Sequence, residues 1–350
     1  MNRSPLEAAF EGAAALVDDL GVEVAAHFGD PSGEERALTE GAGMVDRCAA
    51  GAVLVTGPDA LSYLHSLLSQ DIAGLADGEG AHALLLQPQG KLDADLRILR
   101  VGDECWLDCE VGRGEALAAS LRRFKIRVKA EVEDRTGSWG CLSLRGPQAP
   151  GVVEAAAGVA LPAATHAHVA WPGTGLRLVR AGWPGGWAGA DVVGPVKDLA
   201  PAWAALTSAG AVPAGLSAYE AARVAAGVPR QGIDTNERTI PQEAFLELDA
   251  VSFTKGCFLG QELVCRIDTR GHVNRLLRAV RLADDTIPPA GAGIVVGDKE
   301  VGALTTVARS QSGTVALGYV RREVEVPADV VLRWDGGEAP AEAVALPGRP

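Results

Sequence analysis

No apolar run in this chain reaches the roughly 18 residues of a membrane-spanning helix. The N-terminus lacks a basic start followed by a long apolar stretch; residues 12–17 are too few, and acids follow at once. Neither a membrane partner nor a secretory signal is expected, and a cytoplasmic location is. Lysine is scarce, 6 against 26 arginines. The net charge of −13 repels nucleic acid and anionic membrane. Direct nucleic-acid binding is therefore not expected, and an anionic partner must meet a local basic patch. The cysteines are Cys48, Cys105, Cys109, Cys141, Cys257 and Cys265; they form no CxxC unit and no secreted-style framework, so reduced thiols are expected. GxGxxG, GxxxxGK[ST], GxSxG and HExxH are all missing, as is any solenoid repeat.

With 350 residues and 47% hydrophobic content, the chain is long enough for two or three folded domains. Residues 6–28 read as helical. Residues 53–56 read as a strand, with Asp59 as N-cap of the helix spaced by Leu61, Leu64, Leu67 and Leu68. Residues 83–87 and 96–101 read as strands flanking a turn at Pro88-Gln89-Gly90. A short strand at 105–110, a helix at 114–123 and a half-exposed strand at 126–132 follow, and 213–227 is again helical. Beyond about residue 278, β-rich runs at 293–296, 301–307, 315–319 and 330–334 alternate with turn residues, as in a small barrel-like domain. Mixed helices and strands without a βαβ rhythm make the larger part α+β.

The densest chemistry lies in Lys255-Gly256-Cys257-Phe258-Leu259-Gly260-Gln261-Glu262, with Arg266 after it. Gly256 and Gly260 flank a thiol and permit backbone angles closed to other residues. Lys255 beside it favours the thiolate, the form that attacks electrophiles and binds metals. Cys257 can thus act as nucleophile, redox thiol or ligand; a buried structural cysteine is the plain alternative. Cys105 and Cys109 share a strand face and read as packed core rather than a ligand pair. His166 and His168 also share a strand face and are a weak metal candidate. Lys125, Arg127 and Lys129 face one way in a basic run, either a solvated face or an anion site.

The motif KGCFLGQE-x3-R resembles the signature of the YgfZ family, itself similar to the T-protein (aminomethyltransferase) of the glycine cleavage system. Residues 55–60 and 67–71, Gln89-Gly90-Lys91 with Asp95-Leu96-Arg97, and Gly302, Leu304, Thr305, Leu317, Gly318 and Tyr319 resemble further family segments in order. So do Glu220, Arg223, Gly227, Pro229, Gly232, Asp234, Pro241 and Glu243. The resemblance implies an α+β fold of three domains in a ring around a central folate-binding channel, with a C-terminal β-barrel. The domains would be 1–50 plus 137–240, 51–136 plus 241–277, and 278–350. It implies tetrahydrofolate or a derivative as cofactor, no permanently bound metal, and iron–sulfur client proteins or assembly factors as partners. The function implied is an accessory role in iron–sulfur cluster assembly or repair, with indirect effects on tRNA modification. The alternative is a folate-dependent aminomethyl or one-carbon transferase.

Cys257 matches the family's key residue, which T-proteins lack. Asp95 is what remains of the T-protein's catalytic Asp-Asp pair, Ala94 taking the other place. Gly186 stands where a T-protein glutamate grips the pterin, and Asp191 is the candidate stand-in. Arg223 is assigned to the folate carboxylate tail, Trp183 to stacking on the pterin, and Gln261, Glu262 and Arg266 to the cofactor site.

Overall fold

A computed structural model describes residues 2–282 and 284–350. Apolar–polar alternation in the strand Leu92–Val101 organises the region around the site. Ala94, Leu96 and Ile98 enter a core with the helices Ala60–Leu67 and Gly114–Phe124, while Asp93, Asp95 and Arg97 take the other face. This strand is second in a five-stranded antiparallel sheet ordered Gly80–Leu86, Leu92–Val101, Glu104–Val111, Ala50–Thr56, Glu131–Asp134.

A second sheet of six strands runs His168–Ala170, Arg177–Trp183, Trp187–Pro195, Trp139–Arg145, Gly43–Asp46, Val212–Pro213. The two sheets meet through Leu54, Leu99, Val101 and Trp106 on one side and Cys141, Val179 and Val193 on the other. Further along the same strands the contact turns polar: Asp95, Arg97 and Asp108 confront Ser143, Arg145 and Asp191. Apolar packing thus holds the sheets in register while charged side chains occupy the space between them.

The C-terminal strands close into a six-stranded barrel in the order Arg275–Leu282, Gly313–Arg321, Lys299–Ser310, Gly293–Val296, Ala328–Trp334, Gly337–Val344. Val280, Ile294, Leu304, Val320 and Leu332 fill it, and Leu277, Leu317 and Tyr319 pack outward against the rest of the chain. Closure removes the sheet edges that an open β-domain would expose.

Several local expectations fail. Residues 6–28 form a short 3-10 turn, Glu7–Phe10, and a hairpin of Ala15–Asp19 with Val22–His27. The stretch 125–130 is loop: Arg127 adopts a positive φ of 56°, and the strand begins at Glu131. Asp59 accepts the amide of Lys129 at 2.8 Å instead of capping its helix. His166 precedes the strand His168–Ala170 with a φ of 65°, so the two histidines do not share a strand face.

A buried ionic chain ties the parts together. Asp19, Arg47, Glu110, Arg230, Glu220, Arg223 and Asp234 follow one another through salt bridges, and Thr306 of the barrel bonds Asp234 at 2.6 Å.

Candidate functional site

Two cavities meet between the sheets. The larger, about 950 Å³, is walled by Trp183, Trp187, Arg180, Leu246, Asp249 and Arg349, among others. The smaller, about 270 Å³, is lined by three arginines (Arg47, Arg97, Arg145) and four carboxylates (Asp95, Asp108, Glu110, Asp191). His82, Asp95, His166 and Pro229 line both.

Asp95 sits at this junction because strand alternation turns it away from the core. His82 of the neighbouring strand holds its Oδ1 through Nε2 at 2.5 Å, and Gln231 accepts the Asp95 amide at 3.0 Å. Burial pulls the His82 pKa down, but the carboxylate charge of Asp95 outweighs it and raises the value above that of an ordinary histidine. His166 goes the other way: burial first, then the charges of Arg97 and His82, push it down to about 3. One imidazole at the junction is thus inclined to carry a proton and the other is neutral at physiological pH.

In the smaller cavity, Asp191 is 5% exposed and both its oxygens are engaged. Oδ1 accepts from Ser143 at 2.8 Å and Arg145 at 2.7 Å, and Oδ2 accepts from Arg97 at 2.6 Å. Burial opposes the charge, yet Arg145 and Arg97 hold this carboxyl well below the usual range. Asp191 therefore has no free edge for a pterin, which corrects its assignment as a stand-in for the missing glutamate.

Arg223 is also corrected. It is 0% exposed. Nε reaches both oxygens of Glu220, Nη1 reaches Asp234 and the Val228 carbonyl, and Nη2 reaches Glu220 and Thr306. It pins a helix to the barrel and cannot meet a ligand carboxylate. Trp183 does line the larger cleft, edge-on to Tyr219 at 5.5 Å, with the Arg145 guanidinium 5.0 Å from its ring centroid. Gly186 lies in the tight turn between Trp183 and Trp187; no atom stands within 4 Å of where its Cβ would be.

The thiol motif lines neither cavity. Cys257 is exposed, whereas Cys48, Cys105, Cys109 and Cys141 are buried and Cys265 is half-buried. Lys255 is not free to tune the thiol. Its Nζ donates to the carbonyls of His65, Leu68 and Gln70 at 2.6, 2.7 and 3.0 Å, at the end of the helix Ala60–Leu67. Orphan carbonyls and the negative dipole end make that a natural ammonium site. Burial lowers the Lys255 pKa to about 8.

Gly260 has a φ of 76°, and a Cβ there would stand 2.3 Å from the Gln87 carbonyl, so the loop rests directly on the hairpin turn preceding Asp95. Gly256 has open space around it and is not sterically required. Gln261 caps its own loop, Oε1 accepting the Phe258 amide at 3.1 Å, while Glu262 and Arg266 are exposed on the helix Gln261–Arg270. None of these three lines the cleft as assigned.

Sequence reasoning missed His82, Arg145, Gln231 and Arg349. His82 was hidden by a bulge: counting outward from the turn at 88–90 sets it opposite Leu96, and only the register shift between Leu85 and Leu86 pairs it with Arg97, diagonal to Asp95. The others arrive from distant segments and left no local signal.

Residues 8–255 match the family described as the GCVT N-terminal domain. An aminomethyltransferase of Rubrobacter xylanophilus is 28% identical over 341 residues, covering 95% of this chain and 90% of that protein. One of Thermus thermophilus is 30% identical over 359 residues, covering 99% of both. The crystal structure of glycine cleavage system aminomethyltransferase T from Bartonella henselae aligns with a TM-score of 0.88 at 23% identity, over 99% of this chain and 98% of that one. At that identity the likeness establishes a T-protein-like fold.

Proposed function

We propose a function from one premise: the chain belongs to the GCVT N-terminal domain family. It binds a reduced folate in the larger cleft and handles a one-carbon unit there, in the manner of an aminomethyltransferase. The observation that carries this reading is Asp95, whose carboxylate lies at the junction of both cavities with Oδ1 held by His82 at 2.5 Å.

The residues suit such a ligand. A cleft of about 950 Å³ lies in the size range of small-molecule sites. Trp183 and Trp187 offer an aromatic wall for a bicyclic ring, and Arg180 and Arg349 bring cations to the cleft, Arg180 with Nε on the Pro162 carbonyl and Arg349 with Nη2 paired to Asp249. A bound reduced folate supplies ring nitrogens that carry one-carbon units. Asp95 Oδ2, with no protein partner among the described residues, accepts or returns a proton. His82 steadies the carboxylate's charge, and Gln231 fixes its backbone. His166, neutral, adds a polar group without adding charge.

A second reading rests on Cys257. An exposed thiol on an anchored loop, with no carboxylate at Gly186 and Asp191 sequestered, favours a YgfZ-type accessory factor for iron–sulfur cluster assembly or repair. The thiol would then resolve a damaged cluster, accept sulfur or ligate iron transiently.

Tetrahydrofolate titrated by calorimetry tests what the two readings share; no heat at millimolar ligand removes both. Turnover with an aminomethylated carrier protein, lost in Asp95→Asn, supports transfer. Deleting the gene in its host and restoring iron–sulfur enzyme activity with wild type but not Cys257→Ala supports the accessory role instead.

A further inference from the structure

The smaller cavity holds more charge than its own pairing consumes. Asp108 accepts both contacts from Arg97 on Oδ2, at 2.9 and 2.7 Å, leaving Oδ1 without a partner among the described residues. Arg145 spends Nη1 on the Leu144 carbonyl and on Asp191, leaving Nη2 without one. The Arg97–Asp191 pair lies between them, bonded to Asp108 on one side and sharing Asp191 with Arg145 on the other. An open carboxylate oxygen and an open guanidinium nitrogen are therefore set one ion pair apart. Their side chains are only 25% and 7% exposed.

Neither atom is sealed off, so a ligand in the cavity can reach both, while the buried Arg145 Nε has no partner among the described residues. A ligand carrying the opposite charge at each end satisfies both without adding net charge. At about 270 Å³ the cavity lies just below the usual range of small-molecule sites and has ample room for a small amino acid. We infer that this cavity binds a small zwitterion, its ammonium on Asp108 Oδ1 and its carboxylate on Arg145 Nη2. Because His82, Asp95 and His166 line both cavities, the bound amine stands beside the acid–base carboxylate. That placement beside a one-carbon unit rests on the folate reading; the zwitterion site itself does not.

Calorimetry of the full chain with L-alanine as probe, and with ethylammonium and propionate as half-probes, tests this. L-alanine is expected to bind at least about tenfold more tightly than either half-probe, the effect of one additional charge-assisted contact. Asp108→Asn, which keeps an oxygen for Arg97, is expected to weaken L-alanine by about tenfold. Equal affinity for all three probes, no binding of L-alanine, or an indifferent Asp108→Asn overturns the inference; the probe comparison in wild type decides even if the variant misfolds. Tetrahydrofolate is titrated in parallel. Folate binding without L-alanine binding removes this inference alone, and the converse removes the folate reading and leaves the site standing.

Discussion

Lys255 donates from Nζ to the carbonyl of Leu68 at 2.7 Å, across 187 positions of sequence. That bond, with its neighbours to His65 and Gln70, fastens the thiol loop to a helix end on the core sheet.

Lys255→Met therefore frees the loop. Unfolding free energy is expected to fall by about 1–3 kcal/mol, the cost of leaving part-buried acceptors unmet. Alkylation of Cys257, expected to be the fastest of the six thiols because it is the exposed one, should accelerate. Unchanged stability and labelling would show that the ammonium anchors nothing.

Asp95→Asn is expected to cut folate-dependent turnover by about a hundredfold or more, the typical worth of a positioned proton-transfer group. It also removes the charge that raises His82, so burial then sets the direction and the histidine pKa drops below its ordinary value. The stabilisation from the pair is fully present below the ordinary histidine pKa and fades as pH climbs through the raised folded value. The stability gap between wild type and Asp95→Asn should narrow accordingly. An NMR titration of the His82 ring that does not shift in the variant refutes the coupling.

Arg223→Met leaves Glu220 and Asp234 without their shared cation in the interior. A loss of about 3–5 kcal/mol is expected, as for other broken buried pairs. Folate affinity per folded molecule should hold. A stable variant with weakened folate binding would restore Arg223 to the cofactor site.

Glu247 has a buried Oε2 with no partner, and burial raises its pKa to about 7. A carboxyl raised on folding contributes stability below its unfolded pKa and loses it as pH rises through the folded value. Glu247→Gln should thus match wild type near pH 4 and exceed it in melting temperature at pH 8. Parallel curves across that range would contradict the shift.

The strand expected at 96–101 starts at Leu92 in the structure, and that added length puts Asp95 on its polar face; the turn-bounded β-runs after residue 290 foretold barrel strands. Of the two glycines flanking the thiol, the structure requires only Gly260, whose φ is 76° and where a Cβ would stand 2.3 Å from the Gln87 carbonyl. The hairpin at 15–27 was misread because its apolar residues recur at spacings that also suit a helix, and pairing alone decided between them.

Charged side chains were the harder case. Arg223 and Asp191 looked like ligand groups, yet each is consumed by partners from other segments; Thr306 lies 83 positions from Arg223, and Arg97 lies 94 from Asp191. Periodicity and backbone constraint are local, so the sequence alone determined the strands around the 88–90 turn, the β-runs of the barrel, the glycine turn and the thiol motif. Whether a charge is spent or left open depends on which distant groups arrive within hydrogen-bond reach. Only the packing of one sheet on the other decided that Asp191 is closed and that Asp95, Asp108 and Arg145 still face a cavity, and only the docking of the thiol loop on the helix Ala60–Leu67 decided that Lys255 serves its end.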